Sequence, residues 1–283
     1  MAEHTLETVM TQYHFETHEP VELFVEIGKG NVDVTATETT ETRVEIAGRD
    51  ADEVDVRQSG QQITVVAPRQ RSGFFGGDNK LDVTITLPLR SDLVVKTGSA
   101  DIAVSGTVGA SQLKTGSGDV RTDDLTGPAL VETGSGDVDI QVANAELRVK
   151  SGSGHVRVRH AESAVAASTG SGDVEIGTSN GPAAVKTGSG DLKVVDAHTD
   201  VSLATGSGDL LVGTAHRGRF TMKGASGDVH IGIPAGLPVW TDISTLSGSI
   251  RSNLESAGEP AEGADHVELR AKTVSGDIVL TQV

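Results

Sequence analysis

From about residue 93 onward, apolar and polar residues alternate in runs too short for helices and with the period of two that marks strands. In one set of runs the apolar positions are Leu147 and Val149, Val165 and Ala167, and Val201 and Leu203. In a second set they are Val138 and Ile140, Val156 and Val158, Val174 and Ile176, and Leu210 and Val212. A Gly-rich turn joins the two sets. The motif TGSGDV spans 115–120, 133–138 and 169–174, with relatives beginning at Thr97, Ser151, Thr187 and Thr205. Taking its Asp as a marker gives Asp101, Asp119, Asp137, His155, Asp173, Asp191 and Asp209, each step being 18 residues. Looser copies place Asp228, Ser249 and Asp277 in the same slot, and Asn31 of GKGNVDV takes it near the N-terminus.

Two short strands per period cannot bury an apolar face alone, whereas periods stacked at about 4.8 Å align like residues into a continuous narrow core. The pattern therefore predicts an all-β fold, a parallel β-solenoid (β-helix) with coils of about 18 residues. Right-handed coiling follows from the usual hand of parallel crossovers. Thr107, Ala143, Ala161, Ser179, Ala197 and Ala215 are expected to fill one corner, and the turn glycines to let neighbouring coils approach closely. A second turn is marked by Gly127-Pro128 and Asn180-Gly181-Pro182. The expected organisation is a single solenoid domain over 1–283. Residues 1–92 would form an irregular N-terminal β cap, 93–233 the regular repeats and 234–283 irregular C-terminal coils and a cap. Tyr13, Phe15, Phe24, Phe74 and Phe75 fall in the first of these regions and Trp240 in the last. The segment Arg71 to Asp78 reads as a loop whose Phe74 and Phe75 either fill the cap or form an exposed contact patch.

Composition narrows the function. Aromatic residues make up 2% of the 283, which suits a thin core better than a thick one. The net charge of −17 disfavours nucleic acid, whose phosphates are bound by clustered Lys and Arg. Zero Cys excludes disulfides, zinc–thiolate sites and cysteine nucleophiles. No run reaches the roughly 20 apolar residues of a membrane helix, and MAEHTLETVM lacks the basic and apolar regions of a signal peptide. The expectation is a cytoplasmic protein without membrane insertion, the alternative being a cell-surface protein exported without an N-terminal signal.

The repeated TGSGDV, the N-terminal VELFVEIGKGNVDV, and the C-terminal VWTDISTLSGSI and RAKTVSGDIVL together resemble the bacterial β-strand-repeat "putative adhesin" family, domain of unknown function 4097. The resemblance covers roughly residues 13–283. It implies a β-helical, non-enzymatic protein, sometimes linked to the cell envelope, and carries over no catalytic residues.

Stacked carboxylates about 5 Å apart repel unless compensated. The marker aspartates are expected to accept hydrogen bonds from turn N–H groups, with Lys96, Lys114, Lys150 and Lys186 diluting the charge. The functional alternative is a calcium ladder of Asp119, Asp137, Asp173, Asp191 and Asp209, because carboxylates on Gly-rich turns suit a hard cation. It resembles the nonapeptide β-roll but lacks the doubled Gly and carries the motif once per coil. No cofactor is expected. His198 and His216 occupy equivalent slots of adjacent coils, with Asp196 as a nearby third ligand for a transition metal; surface imidazoles are the simpler reading. His155 reads as a spacer in the ladder. The segment from Gly177 to Gly181 matches G-x-S-x-G, but no helix follows Ser179, so a nucleophile elbow is rejected. A carbohydrate-cleaving β-helix would need two carboxyls in unlike environments beside a cleft. Here the repeated aspartates are interchangeable and six consecutive periods admit no insertion. The expected function is thus a non-catalytic scaffold or binding protein for a protein or envelope partner, monomeric or weakly self-associating. The alternatives are a self-assembling filament and a calcium-binding, adhesin-like surface protein.

Overall fold

A computed structural model describes residues 9–68, 80–255 and 263–283. The Phe74-Phe75 loop lies outside them. Apart from one 3-10 turn, Ala51–Glu53, the regular structure is strand. None of the described residues belongs to a helix long and apolar enough to cross a membrane. The chain forms two compact units, Met1–Val138 and Asp139–Val283.

In the first unit, one sheet runs in the order Val9–Glu16, Glu41–Gly48, Leu81–Pro88, Gly30–Thr37, Asp101–Val108 and Val120–Leu125. The other runs Asp55–Ser59, Gln62–Val66, Glu22–Ile27, Asp92–Thr97, Ser111–Thr115 and Ala129–Thr133. Strands of the repeats pair in parallel, and three pairings at the N-terminal edge are antiparallel. Glu22–Ile27 and Gly30–Thr37 are already in ladder register, with Leu23 opposite Leu93 and Val32 opposite Ile102. The regular stack thus begins well before residue 93, within the region expected to be an irregular cap. The coil made by Gln62–Val66 and Leu81–Pro88 lies outside that made by Glu22–Ile27 and Gly30–Thr37, although it follows it in the chain.

The second unit repeats this manoeuvre at its far edge. Its first sheet runs from Val156–Ala161 through Val174–Ser179, Leu192–Ala197, Leu210–Ala215, Val229–Ile233 and Ile278–Gln282 to Ile250–Ser252. Its second runs from Leu147–Ser151 through Val165–Thr169, Ala183–Thr187, Val201–Thr205, Gly218–Lys223 and Val267–Ser275 to Val239–Ser247. The C-terminal strands are therefore regular coil, inserted between Gly218–Ile233 and the outermost segment 239–252. The marker order in space is Asp228, Asp277, Ser249. The expectation of irregular structure in 234–283 arose because chain order and stacking order part company there.

Inward residues form unbroken ladders. Val174 lies opposite Leu192 and Leu192 opposite Leu210; Ile176, Val194 and Val212 form the next row, and all are at most 1% exposed. Ala143, Ala161, Ser179, Ala197 and Ala215 are buried at the corner. Thr107 is not: a register shift after Thr122 sets Val108 opposite Leu125, so these two take the corner and Thr107 stays half-buried. Gly106, at a φ of 82°, sits at that irregularity, where left-handed backbone favours glycine.

The turn explains its own sequence. The Thr or Ser that opens TGSG accepts a hydrogen bond from the N–H of the second Gly: Thr115 from Gly118 at 3.0 Å, Ser151 from Gly154 at 2.9 Å and Thr187 from Gly190 at 2.8 Å. That hydroxyl is close to fully buried in most coils, and the bond satisfies it. A Cβ on Gly190 would overlap the backbone carbonyl of Gly172 in the preceding coil, so no other residue fits. Where the step lengthens to 19 residues, the Gly208 N–H turns to the Ser226 carbonyl at 3.2 Å and Thr205 is left with a buried, unpaired hydroxyl.

Gly190→Ala is expected to cost about 1–3 kcal/mol by overpacking a backbone contact. Ser202→Ala, on the outward side of a strand, should stay within about 0.5 kcal/mol of the parent. Urea unfolding monitored by far-UV circular dichroism measures both.

Candidate functional site

Seven marker aspartates reach one coil onward rather than back into their own turn. Asp101 Oδ1 accepts the Asp119 N–H at 2.8 Å, and Asp119 Oδ1 accepts the Asp137 N–H at 3.0 Å. In the second unit the chain of acceptors runs from Asp173 to the Asp191 N–H (2.9 Å), Asp191 to Asp209 (2.8 Å) and Asp209 to Asp228 (2.7 Å). It continues from Asp228 to Asp277 (2.7 Å) and from Asp277 to Ser249 (2.8 Å). The carboxylate thus pins one coil to the next. A short side chain with two acceptor oxygens is what the slot requires. Ser249 departs from the pattern for a physical reason: it lies in the outermost coil, where no further N–H awaits an acceptor.

Of the four lysines, Lys114 pairs with Glu132 at 2.6 Å, and the Lys96 ammonium lies 5.2 Å from the centre of the Phe24 ring. Arg121, 2.8 Å from Asp119, and Arg251, 3.4 Å from Asp277, place cations beside the ladder, and the His155 Nδ1 lies 3.5 Å from Asp173. Each arginine stands two residues after the marker slot, a spacing that reading the motif only as far as Val missed. The Ser249 N–H is the main influence holding the Asp277 carboxyl below its ordinary value, and Arg251 assists.

In this same slot, two residues after the marker, residues 18 apart alternate in sign: Asp139, Arg157, Glu175 and Lys193. Arg157 lies 3.7 Å from Asp139 and 3.4 Å from Glu175, and Lys193 lies 3.0 Å from Glu175. The Lys193 hydrogen bond leads in lowering the Glu175 pKa against partial desolvation. Exposed pairs of this kind each contribute at most about 1 kcal/mol, so their role is to hold register rather than to create a reactive group.

A different arrangement surrounds His198 and His216. Asp196 is the penultimate residue of the strand Leu192–Ala197, with its side chain outward, and His198 follows the buried corner residue Ala197. His216 follows Ala215 in the same way one coil on. Backbone bonds from His198 N–H to Ser179 O (3.0 Å) and from His216 N–H to Ala197 O (2.9 Å) fix both positions. The imidazoles stack with centroids 4.3 Å apart and planes 2° from parallel. Both direct Nε2 to Asp196, His198 to Oδ2 at 3.0 Å and His216 to Oδ1 at 2.7 Å. Partial burial works against the charge on Asp196, but the two imidazole contacts outweigh it and leave its pKa below the ordinary carboxylate value. Among the described residues, this is the one group of three His, Asp or Glu side chains whose ligand atoms all lie within 4.8 Å of one another. No three ladder carboxylates meet that distance. Ser179 is buried and donates to the Gly181 carbonyl at 2.8 Å, with no base beside it.

A family model described as Toastrack DUF4097 matches residues 21–180 and again 131–281. Among solved structures, a candidate lipid-binding protein from Parabacteroides distasonis is similar over 97% of this chain and 96% of its own, at 13% identity and a TM-score of 0.45. A candidate adhesin from Bacteroides fragilis is similar over 97% of each chain, at 14% identity and a TM-score of 0.40. A candidate cell adhesion protein from Clostridium sporogenes is similar over 98% of this chain and all of its own, at 11% identity and a TM-score of 0.28. No curated protein matches the chain significantly.

The depressed pKa of Asp277 predicts a stability difference of definite sign. Its contribution is complete above the ordinary value of 3.8 and is lost as pH falls through the lower folded value. The parent should therefore be more stable than Asp277→Asn at pH 7, and the gap should close as pH drops below about 4. Thermal unfolding of both proteins across pH 2–7 checks this.

Proposed function

The chain belongs to the Toastrack DUF4097 family, and from that premise we propose that it is a non-catalytic binding scaffold whose contact surface is its outermost C-terminal strand. The observation that carries this reading is the exposure of that strand. In Val239–Ser247, Trp240 is 65% and Leu246 83% exposed, on the outward side of a strand that ends its sheet among the described residues. Exposed tryptophans beside leucines anchor interfaces, because the indole buries a large rigid area and can still donate a hydrogen bond. The repeated polar side chains support the non-catalytic part of the reading. The ladder aspartates from Asp101 to Asp277 for which the bond is seen are engaged by backbone N–H groups of the next coil, in one repeated environment. For the same reason the reading includes no calcium ladder. The partner is a protein or envelope component that presents an apolar surface, or a strand able to pair with the edge.

A second reading, self-association, has its own observation. Ile250 continues the inward ladder of the buried Ile278, yet is 50% exposed because it belongs to the last coil. An open apolar ladder beside unpaired strand edges is a template for another chain.

Absolute molar mass and binding together test the two readings. The parent is expected to be monomeric by light scattering and to retain a component of solubilised envelope extract that Trp240→Asp/Leu246→Asp fails to retain. Hydrolytic turnover abolished by a single point substitution would overturn the scaffold reading. A polymer dispersed by Ile250→Asp would establish the second in its place.

A further inference from the structure

The His198–Asp196–His216 cluster does nothing that the scaffold needs. The corner it flanks is closed by Ala197 and Ala215, and both histidine backbones are already held by coil-to-coil bonds. We propose that it is a binding site for a borderline transition-metal dication of the zinc class, held by Nε2 of His198, Nε2 of His216 and one carboxylate oxygen of Asp196.

Three observations converge on this. The donor set is two imidazoles and a carboxylate, which suits Zn²⁺ and its neighbours and is poor for Ca²⁺ or Mg²⁺, which prefer oxygen alone. The spacing is right: zinc bonds of about 2.0–2.2 Å place tetrahedral ligands roughly 3.3 Å apart. Here His198 Nε2 lies 3.0 Å from Asp196 Oδ2 and His216 Nε2 2.7 Å from Oδ1, and one donor atom from each residue lies within 4.8 Å of the other two. A small splaying of the stacked rings therefore admits an ion. The site is also preorganised, because pairing of the strands that precede them sets the two histidines one coil apart, and Asp196 stands only two residues before His198, near the end of Leu192–Ala197. Side-chain exposures of 36% for His198, 37% for Asp196 and 41% for His216 leave the fourth position open to solvent, so water or a donor from a bound partner would complete the shell. On binding, the ion takes the place of the proton each Nε2 shares with Asp196: a neutral ring gives up that proton and takes one at Nδ1 from solvent, so it stays neutral, and a protonated ring releases its Nε2 proton to solvent.

The test uses the full chain without an affinity tag, titrated with ZnCl₂ and NiCl₂ by isothermal calorimetry, with CaCl₂ as the contrast. One saturable site per chain is expected for Zn²⁺ and Ni²⁺ and none for Ca²⁺. His198→Asn and His216→Asn should each weaken it by more than the roughly 10- to 100-fold that losing an outer-sphere partner costs. His18→Asn, outside the cluster, should leave it unchanged. Cobalt supplies an independent readout, since Co²⁺ in the parent should give tetrahedral or five-coordinate visible bands that Asp196→Asn loses or shifts. All three cluster residues are partly exposed, so the variants should keep the parent's circular dichroism. Absence of a saturable Zn²⁺ site in the parent, or an affinity in both histidine variants equal to the parent's, would overturn the proposal and leave the cluster as a surface ion pair.

Discussion

Strand pairing at about 4.8 Å is the constraint on which the rest of this structure depends. Once each coil must lie that close to the next in parallel register, every slot of the 18-residue period becomes a column of like positions. Each column must then be chemically tolerable at that distance. Apolar columns give the core, alanine columns the corner, and glycine columns the turn, where a carbonyl of the preceding coil occupies the space of a Cβ. The low aromatic content follows directly, because a ring in an inward column would need equal room in every coil. Phe220 and Met222 are accommodated near the C-terminal edge, where the strict period has already relaxed.

Charge obeys the same geometry in two ways. A column of identical carboxylates persists because each accepts the backbone N–H of the next coil, which turns a repulsive array into a line of hydrogen bonds. A column of ionisable groups can also alternate in sign, as Asp139, Arg157, Glu175 and Lys193 do. The cluster at Asp196 is a third outcome. Two identical rings in one column stack, and a carboxylate placed two residues before the first of them gathers both.

Both chain ends depart from simple winding in the same manner. At each, an outer coil is laid down and a segment adjacent to it in space comes from elsewhere in the sequence. At the C-terminal edge this buries Ile278 and Leu280 under the last coil, while Ile250, Trp240 and Leu246 remain open. The surface available for recognition is thus a consequence of which coil ends up last.

Much of this was legible in the amino-acid order. Alternation and an 18-residue period determine the strands, their parallel register, the inward columns and the turn glycines, because all of these are local or follow from translating one coil onto the next. The equivalence of His198 and His216 follows from the same translation. Tertiary structure alone decided what breaks it. The register shift at Gly106 puts Val108 rather than Thr107 in the corner, and the insertion of Asp277 between Asp228 and Ser249 reorders the ladder. The direction of the aspartate bonds also had to be seen. A carboxylate at a turn has N–H groups of its own coil and of the next within reach, and only the packed distance between coils selects one.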